Sequence, residues 1–153
     1  MAVAALIAAC PPLDGNSLYC NLLQCSHFAD TCVLAEEEGR LKGWVSGFRS
    51  PREPDTIFVW QIAVHENARG RGLGLLLLEA LFELPATAGA TRLAATVSPS
   101  NRASRALFTR FARAHGLKMG VRPYFDRHRH FGGHHESEDL ISIAPIPADR
   151  LSS

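Results

Sequence analysis

The chain has 153 residues, 46% of them hydrophobic and 20% charged, with a formal net charge of +1. That length fits one domain, 1–153, of ordinary globular composition, and the near-neutral balance gives no general attraction to nucleic acid or to a membrane surface. No apolar run approaches the ~20 residues of a membrane span, and the opening M-A-V-A-A-L-I-A-A-C lacks the basic n-region of a signal peptide.

Val3–Cys10 reads as a short apolar helix stopped by Pro11 and Pro12. The turn formers P-P-L-D-G-N-S follow, with Asn16 or Ser17 as N-cap of a helix through Leu18, Leu22, Leu23 and Cys25. Thr31–Glu36 and Leu41–Phe48 form a hairpin across E-E-G-R. Ser50–Asp55, with two prolines, is a loop. Ile57–Val64 (I-F-V-W-Q-I-A-V) is a strongly apolar strand, and the leucine-rich run ending at Leu84 is a buried helix. Arg92–Val97 is a further strand. Ser98–Asn101 turns into a helix over Arg102–His115, with Gly116 as its C-cap. Leu117–Val121 is a short strand, Arg122–His135 a basic, His-rich loop, Leu140–Ala144 a last strand and Pro145–Ser153 a polar tail. The four cysteines, Cys10, Cys20, Cys25 and Cys32, lack C-x-x-C or zinc spacing. Free, partly buried thiols in a reducing cytoplasm are expected.

The stretch between the long strand and the leucine helix carries the chemistry. It reads H-E-N-A-R-G-R-G-L-G. Alternate glycines let successive N–H groups face one point, a helix N-terminus adds unpaired N–H groups and partial positive charge, and Arg69 and Arg71 add full charges. The product is an anion cradle suited to a phosphate or pyrophosphate. Gly70, Gly72 and Gly74 do not give G-x-G-x-x-G, and no Walker G-K-[ST] is present. The match is to R-x-x-G-x-G at Arg69, Gly72 and Gly74, which resembles the coenzyme A loop of the GNAT superfamily of N-acetyltransferases. The resemblance implies that amides of the segment Arg69, Gly70, Arg71, Gly72, Leu73 and Gly74 hold the pyrophosphate. It also implies that the preceding strand at Ile62, Ala63 and Val64 pairs with the pantetheine arm, and that Asn101 neighbours the cofactor. The implied fold is α/β, a mixed twisted sheet with helices on both faces. That fold begins with a strand before its first helix, and here the first strand is missing or lies upstream.

Further stretches narrow the resemblance. C-P-P-L-D-G-N-S-L-Y, P-D-T-I-F-V-W-Q-I-A-V, T-V-S-P-S-N-R-A-S-R-A-L-F and H-H-E-S-E-D-L are similar to the L-2,4-diaminobutyrate acetyltransferases of ectoine biosynthesis. Asn21 stands where that family leads one to expect an aromatic. The resemblance implies transfer of acetyl from acetyl-CoA to the 4-amino group of L-2,4-diaminobutyrate, giving 4-acetamido-2-aminobutanoate and CoA. A cytoplasmic homodimer is expected from the same likeness. Two other functions fit the chain: acetylation of another small diamine or polyamine, and a non-catalytic acyl-CoA sensor.

The acceptor must attack as a neutral amine, and an alkyl ammonium with a pKa of about 10.4 is neutral in roughly one molecule in 2,500 at pH 7. Losing the proton costs about 4–5 kcal/mol unless the site lowers that pKa or supplies a base. Glu138 and His135 are the candidate bases. The tetrahedral oxyanion needs a fixed donor, and the resemblance to the superfamily implies a main-chain N–H in Ile62–Val64. Many superfamily members have a tyrosine seven residues after the motif asparagine. Here the count from Asn101 reaches Phe108, which has no hydroxyl, so Tyr19 or water is left as the acid. The substrate's two ammonium groups need anionic and aromatic partners: Asp14, Trp60 and Glu138, supported by Tyr19 and His135. Arg52, Arg127 and Arg129 are nearby candidates for the substrate carboxylate.

Plainer readings stand beside these. Asp14 serves equally as a turn residue, Trp60 and Tyr19 as core. His128, His130, His134 and His135 have poor spacing for a closed metal site, and no metal is expected.

Overall fold

The computed structural model describes residues 2–13 and 15–146. The sequence elements form in the expected order. They are α1 (Ala2–Ala8), α2 (Leu18–Ser26), β1 (Cys32–Glu37), β2 (Arg40–Arg49), β3 (Thr56–Val64), α3 (Leu73–Glu83), β4 (Arg92–Val97), α4 (Arg102–Ala114), β5 (Lys118–Phe125) and β6 (Glu138–Ala144). Ser17 caps α2 by accepting from the Cys20 N–H, and Asn101 caps α4 by accepting from the Ser104 N–H. The β1–β2 hairpin turns at Glu38 and Gly39, both at positive φ, which matches the twist of the paired strands. Among the described residues no strand precedes α1.

The strands lie in the order β1-β2-β3-β4-β6-β5. Only β3 and β4 pair in parallel, joined by α3; the neighbours on either side are antiparallel. The crossover through α4 also leads to a strand parallel to β4, but β6 inserts between the two, so that parallel neighbour is never made. β5 runs to Phe125 and β6 begins at Glu138, both longer than the apolar pattern predicts. Residues 122–125 are exposed on an edge strand, where Pro123 is tolerated.

Helices cover both faces. On one, Leu77, Leu78 and Leu81 of α3 and Phe108 and Phe111 of α4 pack against Val45, Ile57, Val59, Leu93 and Ile141. Each fully buried leucine contributes about 1.5–3 kcal/mol. On the other face, Val3, Leu6 and Ile7 of α1 pack against Trp44 and Ala63. The second helix of that face is turned inside out. Asn21 and Gln24 of α2 are buried and hydrogen-bonded to each other, and Gln24 donates on to Ser46 of β2. Leu18, Tyr19 and Leu22 of the same helix point outward and are 57%, 70% and 48% exposed.

Two features open the sheet at its centre. The parallel ladder is short: Thr56–Phe58 pair with Arg92–Ala94, and beyond those residues the strands separate. In the β2–β3 ladder Ser46 faces Gln61 and Gly47 faces Val59, so Trp60 is an extra residue, a β-bulge. The bulge shifts the alternation by one. Ile57 and Val59 face α3 and α4 before it, and Ile62 and Val64 face the same core after it. An extra residue bends its strand, and this bend lies where β3 parts from β4.

Candidate active site

A cleft runs through the opening between β3 and β4, and its two halves share Pro12, Leu13, Ile62, Asn101 and Ser104. The larger predicted feature, the glycine turn, lines the first half together with Cys10, Ile62, Ala63, Val64, Arg69, Leu107 and Arg110. Gly70 and Gly72 sit at φ 74 and φ 82, in the left-handed region that glycine enters without penalty. Gly72 is the N-cap of α3 and has no side chain to satisfy the first helical amides. Among the described residues no backbone group accepts from the N–H of Gly70, Arg71, Gly72, Leu73 or Gly74. A run of unpaired donors at a helix start is a site for a diphosphate. Gly74 has a second reason to be glycine: a Cβ there would stand 3.2 Å from both Leu107 methyl carbons, where α4 closes over the turn.

The two arginines of the turn part company. The Arg69 Nε donates to the Val64 carbonyl at 3.1 Å, and the Cys10 thiol donates to the same oxygen at 3.3 Å. Arg71 turns to the other side of the loop and pairs with Glu37 at 2.8 Å, lining a separate hollow with Lys42. Its hydrogen bond and charge hold the Glu37 carboxyl below the usual carboxylate range. The Val64 carbonyl therefore faces away from β2. Hydrogen-bonding direction alternates along an antiparallel pair, so the N–H and C=O of Ile62 and Val64 share the cleft edge of β3. An extended arm can pair with that edge as an added strand does.

The second half, of about 240 Å³, is lined by Asn16, Trp60, Gln61, Thr96, Ser98, Phe108, His135 and Glu138, with others. Trp60, placed by the bulge, is 41% exposed and held edge-on by Phe28 and Phe48 at 6.3 and 6.0 Å between ring centroids. Glu138 begins β6. Its neighbour Asp139 pairs with Arg105, which also donates to the Ser98 carbonyl at 3.4 Å, and Glu136 accepts from both the N–H and the hydroxyl of Ser100. These bonds tie the start of β6 to the end of β4 and the first turns of α4. His135 is fixed at Nδ1 by the Glu136 carbonyl at 2.6 Å, and its ring lies 4.6 Å from that of Phe131.

The structure thus brings Trp60, His135, Glu138 and Asn101 to one cleft with the glycine turn. Tyr19 is not brought there: it lies on the outer face of α2 and lines neither half. Asp14 lies outside the described residues. Arg52, Arg127 and Arg129 line neither half; among the described residues no lysine or arginine lines the acceptor half. Arg127 instead donates to the Gly133 carbonyl within its own loop. That His-rich loop is organised on Asp126, which accepts from the N–H groups of Arg129 and His128 and is held below the usual carboxylate range by those bonds. Among the described residues no group of three or more His, Cys, Asp or Glu is placed to hold a metal ion, and no helix is long and apolar enough to cross a membrane.

Gln61, Ser104, Cys10 and Arg110 also line the cleft, and no sequence pattern gives them a role; Asn16 reads from sequence only as a cap. Asn16 donates to the Gln61 side chain at 2.8 Å across the floor of the acceptor half. Both lie in the stretches P-P-L-D-G-N-S and F-V-W-Q, which supplied the signal without the role.

Split sheet, unpaired amides and a second, acidic and aromatic compartment define an acyl-CoA-dependent N-acyltransferase. The acetyltransferase (GNAT) family model matches residues 4–112, and the chain belongs to that family. Within it, the L-2,4-diaminobutyric acid acetyltransferase of Methylotuvimicrobium alcaliphilum is 47% identical over 146 residues, covering 95% of this chain and 85% of that protein. The enzyme of the same name from Vibrio cholerae is 43% identical over 143 residues, covering 94% and 83%. The diaminobutyrate acetyltransferase EctA of Paenibacillus lautus, solved with its substrate L-2,4-diaminobutyric acid and coenzyme A, matches with a TM-score of 0.89 at 41% identity. It covers 94% of this chain and 87% of that one. The ribosomal-protein-S18-alanine N-acetyltransferase of Escherichia coli, 20% identical with a TM-score of 0.64, shares the fold.

Proposed function

We infer that this protein transfers the acetyl group of acetyl-CoA to the 4-amino group of L-2,4-diaminobutyrate. The products are 4-acetamido-2-aminobutanoate and CoA, a step of ectoine (osmolyte) biosynthesis in the cytoplasm. One observation carries the reading: a single cleft joins the unpaired amides of residues 70–74 to a compartment holding Trp60 and Glu138. The likeness to diaminobutyrate acetyltransferases over nearly the whole chain supports the choice of acceptor.

Acetyl-CoA supplies the activated acetyl thioester when bound. The amides of residues 70–74 and Arg69 hold its diphosphate, the Ile62–Val64 edge aligns its arm, and Asn101 and Ser104 flank its acyl end. Trp60 packs on the acceptor's alkyl chain and ammonium. Glu138, with His135 beside it, takes the proton that the attacking ammonium must lose, directly or through water. The acetyl carbon–nitrogen bond forms as the carbon–sulfur bond breaks. An N–H of the Ile62–Val64 edge donates to the oxygen that gains charge. Phe108 has no proton to give, and a thiol with a pKa of about 8.5 leaves as thiolate without one; the second proton, shed by the nitrogen as the amide forms, passes through water to that thiolate and gives CoA. Asp14 completes the acceptor's surroundings in this reading.

Residues 1–153 act as one domain, and the protein works as a homodimer. The outward face of α2 supports pairing, since Leu18, Tyr19 and Leu22 form an apolar strip with nothing over it in one chain. Light scattering on the wild type and Leu22→Asp should give a dimer and a monomer.

The reading is tested by incubating the protein with acetyl-CoA and diaminobutyrate, ornithine or spermidine, following thiol release and locating the acetyl group by mass spectrometry. Diaminobutyrate acetylated at the 4-nitrogen, in preference to the others, is the expected result. No thiol release with any amine would leave a binding domain, and preference for spermidine would move the acceptor to the polyamines.

A further inference from the structure

The cofactor half of the cleft holds one cation that the diphosphate cradle does not account for. α4 presents Ala103, Leu107 and Arg110 to this half, a stripe at helical spacing. Leu107 lies against Gly74 of the turn, so Arg110, nearly one turn further along α4, lies past the turn on the side away from Asn101 and Ser104. Those two residues belong also to the acceptor half; Arg110 does not. It therefore stands at the end of the cleft opposite the acetyl-transfer centre.

Arg110 is also uncommitted. It is exposed, and none of the ion pairs among the described residues uses it, whereas Arg71 is tied to Glu37 and Arg105 to Asp139. α4 carries four arginines and no acidic residue; Asp139 neutralises Arg105, and none of the ion pairs among the described residues uses Arg102, Arg110 or Arg113. The diphosphate has its own donors in the glycine turn. What remains of coenzyme A beyond the diphosphate, away from the thioester, is an adenosine with a 3′-phosphate monoester. That group carries about −1.5 to −2 charges at pH 7, and a guanidinium binds it with paired N–H donors.

We propose that Arg110 recognises the 3′-phosphate of coenzyme A, so that the protein distinguishes coenzyme A from its 3′-dephospho form. The proposal rests on the acyl-CoA reading of the cleft and adds a phosphate site on α4 to it. Its test is equilibrium binding, measured by calorimetry with coenzyme A and with 3′-dephospho-coenzyme A, for wild type, Arg110→Gln and Arg113→Gln. A charge-assisted contact at an exposed site is worth about a tenfold change in Kd, the low end of its range because salt screens it. Wild type should bind coenzyme A about tenfold more tightly than the dephospho form. Arg110→Gln should erase that preference by weakening coenzyme A alone, and Arg113→Gln, one turn further and outside the cleft, should keep it. The preference should also shrink below about pH 6, where the monoester loses its second charge and the diphosphate does not change.

Equal wild-type affinity for the two forms overturns the proposal and leaves the acyl-CoA reading standing. Equal weakening of both forms in Arg110→Gln also overturns it, because it would put the guanidinium on the diphosphate. The same selective loss in Arg113→Gln would assign the effect to the helix as a whole and equally overturn it. Binding of neither form by wild type would bring down the acyl-CoA reading itself.

Discussion

Gly72 offers a quantitative test of the cradle. It caps α3 at φ 82 and ψ 1, and nothing lies within 4 Å of where a Cβ would stand. Space is therefore no obstacle to Gly72→Ala; conformation is. An L-residue held in the left-handed region costs about 1–2 kcal/mol. If the substituted residue keeps the native φ, that energy is lost from stability, and in a domain of this size each kcal/mol lowers Tm by about 2–4 °C. If it relaxes to negative φ, the N–H groups of Leu73 and Gly74 swing away from their common point. The same energy is then lost from coenzyme A binding, a factor of about 5–30 in affinity. The two losses trade against each other and should sum to about 1–2 kcal/mol. Gly74→Ala is the contrast. Its φ is not positive and alanine favours helix by up to about 1 kcal/mol, but its Cβ would meet the Leu107 methyls at 3.2 Å. Leu107 must then move by a few tenths of an ångström into the cofactor half, so Tm should hardly change while Kd for coenzyme A rises. Thermal unfolding and calorimetric titration of both variants decide the matter. A Gly72→Ala protein with wild-type Tm and wild-type Kd would refute the claim that the left-handed turn aims the amides.

Glu138→Gln should lower turnover by about 10²–10⁴-fold, the usual contribution of a general base, while Kd for coenzyme A stays unchanged; undiminished turnover would take the base role from Glu138. The Cys32 thiol is pushed up from 9.0 to about 11, chiefly by burial. Its folded pKa lies above the unfolded one, so its contribution to stability is complete below about pH 9 and is lost as pH rises towards 11. Denaturant midpoints between about pH 8 and 11 should fall less steeply in Cys32→Ala, and identical slopes would contradict the burial argument. Iodoacetamide at about pH 8 should label exposed Cys25 well before Cys32, read by peptide mass spectrometry. Deleting Trp60 removes the extra residue from β3 yet leaves Ile57, Val59, Ile62 and Val64 facing the same core, so the variant should stay folded. With β3 straightened against β4 it should bind coenzyme A poorly, and wild-type affinity in that variant would show that the bulge does not open the cleft.

The part of the site that could be read from the sequence is the part that is local in sequence. The turn at Arg69–Gly74 declares its chemistry because glycine spacing, flanking charge and the adjoining strand and helix are contiguous, and each has a physical reason to be there. The acceptor half gathers Asn16, Trp60, Gln61, Thr96, Ser98, His135 and Glu138 from four separate stretches. No spacing rule joins such residues, and only a family resemblance pointed to Trp60, His135 and Glu138 together. The orientation of α2 is hidden for a related reason. Its leucines suggest a buried face, but the partner surface on β2 presents Ser46, which selects Gln24 and Asn21 for the interior and leaves Leu18, Tyr19 and Leu22 outside.

The least legible feature is the one that makes the site. Ile57–Val64 is apolar or bulky at nearly every position, so a shift of one in its alternation leaves no trace in the pattern. An amphipathic strand would have betrayed the bulge as a break in period; a strand buried on both faces hides it. Yet three properties depend on that single extra residue. It turns the Trp60 ring, half exposed, toward the acceptor compartment and returns Ile62 and Val64 to the α3–α4 core. It also bends β3 where the parallel ladder with β4 ends, so that the edge of Ile62 and Val64 is left without a strand partner. Two demands therefore meet in this strand. The core requires continuous burial, and an extended acyl carrier requires an open edge within the same sheet. A bulge meets both at the cost of one unpaired residue, here an aromatic that lines the acceptor half.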